Sequence, residues 1–284
     1  MTRFFKRVVL LFFLSLLIFA KVNFAQNSTG GQLLSGDTIY PKHKVMIIPF
    51  NMYNYFSDAD PELAQKNEKD VTDISTLFRY GLNYNISARV ISAYDPYNIL
   101  VDTTLQSGQD LNMIYASIKY QFEKPMDVNA KDSAANKTIK QPDIFGLGGE
   151  EVEEEKKKIS FNKKEEEPAN TKYMNAVITH PEIFPNLQKK YGTDLFLFIN
   201  QFELITNYNH CLDRAENSFE RKVVVHYSVY NAEGKQLKGD AITVTFGSAQ
   251  TNVDEIVSQQ FPLIADYLSQ SIQTTTTYPA GARK

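Results

Sequence analysis

The chain has no tryptophan, one cysteine and four histidines among its 284 residues. With Cys211 alone, no intramolecular disulfide can form, so the fold must be held by its core. Cys211 reads as a partly sheltered free thiol, with an intermolecular bridge left open. No cysteine follows the amino-terminal apolar run, which excludes a bacterial lipoprotein anchor. There is no basic field either. The formal charge is −3 with lysines and glutamates interspersed, so nucleic acid is not an expected partner. Neither Gly-x-Ser-x-Gly, a phosphate-binding Walker loop nor a dinucleotide fingerprint is present, and no catalytic residue, metal site or cofactor is assigned.

What the chain does contain begins with an address. Arg3, Lys6 and Arg7 precede the apolar run Val8 to Ala20, and Asn23-Phe24-Ala25 follows. This reads as a secretory signal peptide, residues 1–25, cut after Ala25. A periplasmic or secreted protein with no membrane span after cleavage is therefore expected. The alternative is an uncleaved anchor, for which the run is short.

Hydrophobic residues make up 43% of the chain, enough for a real core, and the aromatic load lies in 19 Phe and 16 Tyr. After a flexible lead-in, 26–43, the run Val45 to Ile48 ends at Pro49 and reads as a first buried strand. Asp60-Pro61-Glu62 predicts a helix start with Asp60 as N-cap. Val71, Ile74, Leu77, Phe78 and Leu82 recur at helical spacing, and a short strand is expected around Arg89 to Ala93. Ser107 to Asp110 offers a capping box for a further helix.

From Glu123 to Ala169 the composition turns to interspersed Lys and Glu, which cannot bury enough apolar area to offset ordering. This is expected to be a disordered insertion within one domain, 44–272. A solvated helix over Glu150 to Lys158 is the alternative there.

A short helix is expected in Pro181 to Tyr191. Leu195 to Ile199 is unbroken and apolar behind Tyr191-Gly192-Thr193, the pattern of a central strand covered on both faces. A polar loop is expected from Thr206 to Ser218. Then Arg221 to Tyr230 and Ala241 to Phe246 form a hairpin, with Val223, Val225, Tyr227 and Val229 on one face. Thr251 to Asp254 caps a last helix that Pro262 should kink or divide, and 273–284 is a tail. The fold class is α/β: a single mixed sheet of about four to five strands flanked by helices, with a disordered charged insertion.

Three features carry a family resemblance: the opening Val45 to Phe50, the approach Gly192-Thr193-Asp194-Leu195, and the Asn-x-x-Gly-Lys turn before the last strand. With the order of elements, the chain resembles the small periplasmic α/β domain of the Tol-Pal protein TolB, of curli-secretion lipoproteins and of lipoprotein activators of penicillin-binding proteins. It lacks their lipobox cysteine and any propeller. The resemblance implies a non-catalytic envelope protein acting through partners, and it transfers no functional residue.

Candidate site residues follow from topology. If the first and central strands run parallel, the Asn51 to Asp60 and Thr206 to Ser218 loops share the rim where open α/β sheets bind ligands. Tyr53, Tyr55, Asp58, His210, Asp213 and Arg214 are the candidates, binding an envelope protein or cell-wall component. The alternatives are a hydrolase built from Asp58, His210 and Asp213, and a surface-structural subunit. Asp58 to Glu62 does not fit a calcium loop, since Leu63 and Lys69 stand where Gly and Glu are needed. His210, Cys211, Asp213 and Glu216 have no second pair at zinc spacing, and His226 reads as a packed or hydrogen-bonded residue. Asp37-Thr38-Ile39, Asp102-Thr103-Thr104 and Asp132-Ser133-Ala134 resemble a bacterial periplasmic O-glycosylation signal.

Overall fold

The computed structural model describes residues 42–126, 138–140 and 172–276, all within one compact unit. The expected signal peptide, nearly all of the lead-in and most of the charged insertion lie outside these residues.

Strand β1, Lys44–Ile48, buries its last four residues, as a strand does when neither face is left to water. It runs parallel to β3, Asp95–Asn98, on one side and to β7, Leu195–Asp213, on the other. Farther along β7, the short β2, Tyr55–Ser57, also adds in parallel, with Tyr55 opposite Phe202. On its other edge β7 pairs antiparallel with β8, Ser218–Asn231, and β8 with β9, Gln236–Gly247. The edge strand β5, Thr138–Lys140, is parallel to β9, so the segment expected to be disordered, 123–169, contributes a strand to the sheet, because a partner's backbone lies alongside it. The mixed sheet thus has seven strands in the order β3-β1-β7-β8-β9-β5, with β2 beside β7. It is larger than four to five strands because short polar edge segments join the apolar centre. A second, antiparallel sheet is formed by β4, Ile118–Glu123, and β6, Tyr173–Ile178.

Alternation along β1 and β7 divides the core in two. Val45, Ile47, Leu195, Leu197, Phe202 and Leu204 pack with the Val223-Val225-Tyr227-Val229 face of β8 against helices. Those helices are α1, Asp60–Lys66; α2, Val71–Val90; α5, Val253–Gln259; and α6, Phe261–Thr276. Met46, Ile48, Phe196 and Phe198 face the other way, against α3, Leu105–Ala116, and α4, Ile183–Tyr191. Ile183, Phe184 and Leu187 of α4 are buried, as their spacing predicts. Helix α4 ends at Gly192, whose φ of 68° is the left-handed conformation that glycine adopts without a Cβ clash.

The second sheet is fastened to the first by side chains. Asn200 Nδ2 donates to Met174 O, Ser228 Oγ to Asn175 Oδ1, and Tyr230 Oη to Ala176 O, while Met174 N donates to His226 Nδ1. The polar face of β8 is therefore covered, which is why polar residues alternate there without being solvated.

Several local expectations change. The strand expected around Arg89 to Ala93 is the end of α2, because the buried stripe continues through Ile86 to Val90 and Val90 O accepts from Tyr94 N. The expected Thr206–Ser218 loop is a ribbon: β7 runs to Asp213 and β8 starts at Ser218, leaving only residues 214–217 as a turn. Backbone ladder bonds need no apolar alternation, so a polar ribbon reads as a loop. Asp60 lies just inside α1; Ala59 is the N-cap, and Ser57 Oγ accepts from Ala59 N and Asp60 N. Thr104, not Ser107, caps α3, and Asn252 caps α5. Pro262 stands at the second position of α6, after the break that separates α5 from α6. Helix α6 extends to Thr276, past the expected start of the tail at Gln273. No helix among the described residues is long and apolar enough to cross a membrane.

Candidate functional site

β1 and β7 are parallel, so their carboxyl-terminal directions agree and the segment after β1 meets the middle of β7. A single turn of 3₁₀ helix, Met52–Asn54, follows Phe50. Its shape is set by two side chains: Asn51 Oδ1 accepts from Tyr53 N at 3.1 Å, and Asn54 Nδ2 donates to Asn200 O at 2.9 Å. Asn200 lies at a register shift in the β7–β8 pair. This anchored turn holds Tyr53 outward, 89% exposed.

Strand alternation then sends Tyr55 inward and Phe56 outward, 51% exposed. Tyr55 stacks on Phe50 and Phe202, with ring centroids 5.9 and 5.5 Å away. Its hydroxyl donates to Asp60 Oδ1 at 2.7 Å. Burial, and next the negative charge of Asp60, push the Tyr55 phenol well above its ordinary range. Tyr55 is thus a core residue with a satisfied hydroxyl, and of the two candidate tyrosines only Tyr53 is presented.

Asp58 seals the edge of β7. Its carboxylate accepts from Thr206 N at 2.9 and 3.1 Å and from Thr206 Oγ1 at 3.1 Å, while Asp58 N donates to Leu204 O. Thr206 Oγ1 in turn accepts from Arg221 Nε at 3.1 Å, and Arg221 Nη2 donates to Glu62 Oε2 at 2.7 Å. Arg221 is 1% exposed, and its Nη1 has no hydrogen-bond partner. A hydrogen-bonded relay, Asp58–Thr206–Arg221–Glu62, therefore starts at the segment that follows the aromatic turn; Thr206 and Arg221 are buried at its centre, and Asp58 and Glu62 are exposed at its ends. Beside it, burial raises the Asp60 carboxyl above its usual range, with the Asp58 charge adding to the shift and hydrogen bonds from Ser57 and Tyr55 opposing it.

The sequence reading missed Arg221 and Glu62 as site residues. The signal was available in the strand parity: Arg221 shares the face of Val223 and Val225, so a charge stood at a core position and required a partner.

The other candidates lie out along the ribbon. His210 Nδ1 is 3.2 Å from Glu220 Oε2. Asp213 Oδ1 accepts from Ala215 N at 2.7 Å and Glu216 N at 3.3 Å, closing the tip turn in which Arg214 is exposed. At ~3.3 Å per residue, Asp213 stands up to about 30 Å along the strand from Leu204. The structure therefore brings Tyr53, Tyr55 and Asp58 to the base of the ribbon and leaves Asp213 and Arg214 at its tip. Asp58, His210 and Asp213 do not converge on a common point, and each is engaged separately. Cys211 is free but exposed rather than partly sheltered, because it lies on the same protruding ribbon. Tyr208 packs on Phe219 with ring centroids 5.4 Å apart, and both Tyr208 and Leu212 expose apolar surface.

His226 lies on the opposite face of the sheet. Its Nδ1 accepts from Met174 N at 2.9 Å, so the ring proton sits on Nε2. Nε2 is 3.3 Å from Glu203 Oε1, close to it but off the line of a good hydrogen bond. The ring beside it is the main influence that holds the Glu203 carboxyl below the usual range. Among the described residues no three His, Cys, Asp or Glu side chains are grouped to hold a metal ion. No family model matches this chain, and no curated protein matches it.

Proposed function

We propose that the protein is an exported, non-catalytic accessory protein of the cell envelope that binds a protein or cell-wall partner through the rim at the base of the ribbon. The observation that carries this reading is the anchored turn, which holds Tyr53 almost wholly in water, with Phe56 of the adjoining β2 half exposed. Tyrosine is enriched at the centres of protein interfaces, where its ring supplies contact area and its hydroxyl a hydrogen bond. Rigid scaffolds that present a short loop are a common way to build a recognition surface. Tyr208 and Leu212 extend apolar exposure along the ribbon. Export rests on the charged and apolar pattern of the first 25 residues, and the resemblance to partner-binding periplasmic domains points the same way.

Crosslinking in the envelope followed by affinity capture tests the proposal. Tyr53→Ala and Phe56→Ala remove exposed rings without opening the core, so the double variant should keep the wild-type circular dichroism and lose the captured partner. Undiminished recovery of the same partner by the double variant would overturn the rim as the binding surface.

A further inference from the structure

One of the three Asp-Ser/Thr triplets, Asp102-Thr103-Thr104, lies in the described structure; the other two do not. It occupies the loop between β3 and α3, and its outer residues are pinned. Asp102 accepts from Tyr97 Oη through one oxygen and from Thr104 N through the other. Thr104, with an extended backbone of φ −68° and ψ 145°, caps α3 by accepting from Ser107 N at 3.2 Å. Between them Thr103 is exposed and belongs to neither helix nor strand, and its hydroxyl has no hydrogen-bond partner among the described residues. The apolar neighbours Val101 and Leu105 are also exposed, at 58% and 81%.

An acceptor hydroxyl must enter a transferase site together with the residues on either side of it, which a helix or a paired strand prevents and this loop allows. The Asp102 carboxylate is doubly engaged and is not positioned as a base for its neighbour. We propose that Thr103 is an O-glycosylation site, modified outside the cytoplasm from a polyprenyl-diphosphate-linked saccharide. Thr103 Oγ attacks the anomeric carbon. The Oγ–carbon bond forms as the bond from that carbon to the diphosphate oxygen breaks, the hydroxyl proton passes to a base of the transferase, and the polyprenyl diphosphate leaves with the bonding electrons. The attached sugar covers Val101 and Leu105, which accounts for apolar side chains left in the open there.

The test uses full-length protein expressed in its own host and purified from the envelope. Trypsin releases Val90 to Lys119 as one peptide, since no Lys or Arg lies between Arg89 and Lys119. Electron-transfer fragmentation should place a saccharide mass on Thr103. The increment should persist in Thr103→Ser and disappear in Thr103→Ala and Asp102→Asn, with both of these variants exported and of wild-type circular dichroism. An unmodified Thr103 in exported, signal-cleaved protein overturns this proposal and leaves the partner-binding rim untouched. A saccharide retained in Asp102→Asn also overturns recognition of the triplet. Retention of the protein in the cytoplasm overturns both this site and the export on which the proposed function rests.

Discussion

The Arg221–Glu62 pair makes an ordered prediction. Arg221 is 1% exposed, while the Glu62 side chain is 45% exposed. Removing one partner of a fully buried ion pair costs roughly 3–5 kcal/mol, because the other charge is left without compensation. Water reaches Glu62 and would replace part of its role, so Glu62→Ala is expected to cost about 1.5–3 kcal/mol. Arg221→Met keeps most of the side-chain volume, removes the buried charge and eliminates the unpartnered Nη1. It forfeits only the Thr206 bond and the pair itself, and should lie within about 1 kcal/mol of wild type. The double variant should resemble Arg221→Met, which gives a coupling of about 1.5–3 kcal/mol in the cycle, the whole cost of Glu62→Ala. Urea denaturation followed by far-ultraviolet circular dichroism reads all four proteins. Native-state hydrogen exchange adds a local readout: the Thr206 amide, held by Asp58 at the same relay, should lose protection in Glu62→Ala more than in Arg221→Met. If Glu62→Ala proves equal to wild type, or Arg221→Met is the worse of the two by more than about 2 kcal/mol, the relay is not organised around an otherwise uncompensated buried charge.

Asp60 and Glu203 give pH predictions of opposite sign. Burial raises the Asp60 carboxyl in the folded state, so its ionisation opposes folding once the pH exceeds the unfolded value; Asp60→Asn should raise the urea midpoint at neutral pH and give little gain near about pH 3. The His226 ring lowers the Glu203 carboxyl, so its contribution is present above the unfolded value and is lost as the pH falls through the folded one. Glu203→Gln should therefore flatten that part of the acid-denaturation profile, and an unchanged profile would refute the His226 pairing. Gly234 has φ 77°, and an added Cβ would lie 3.0 Å from the Phe184 ring, so Gly234→Ala should cost about 1–3 kcal/mol in the same denaturation assay.

Much of the framework could be read from residue order. Val45 to Ile48 and Leu195 to Ile199 are short, β-rich and apolar without interruption, the pattern of a strand covered on both faces, and both lie in the interior of the sheet. The hairpin face from Val223 to Val229, the α2 stripe and the break near Pro262 follow from spacing and from the missing proline N–H in the same way. The short strands did not announce themselves. Tyr55–Ser57 and Asp95–Asn98 carry too few apolar residues for a period, and they become strands because a partner's backbone lies alongside. The polar stretch after Thr206 is a ribbon for the same reason.

The rim divides along this line. Sequence alone marked Tyr53, Tyr55 and Asp58 as a cluster near the end of a strand, because that order is local. Only the tertiary structure separated their roles, turning Tyr53 to water, packing Tyr55 on Phe202 and giving Asp58 to Thr206, 148 residues away. Periodicity is a property of neighbours in the chain and fixes which face of an element is apolar. The partner of a buried charge such as Arg221 depends on register between distant segments, and register is set only when the sheet closes.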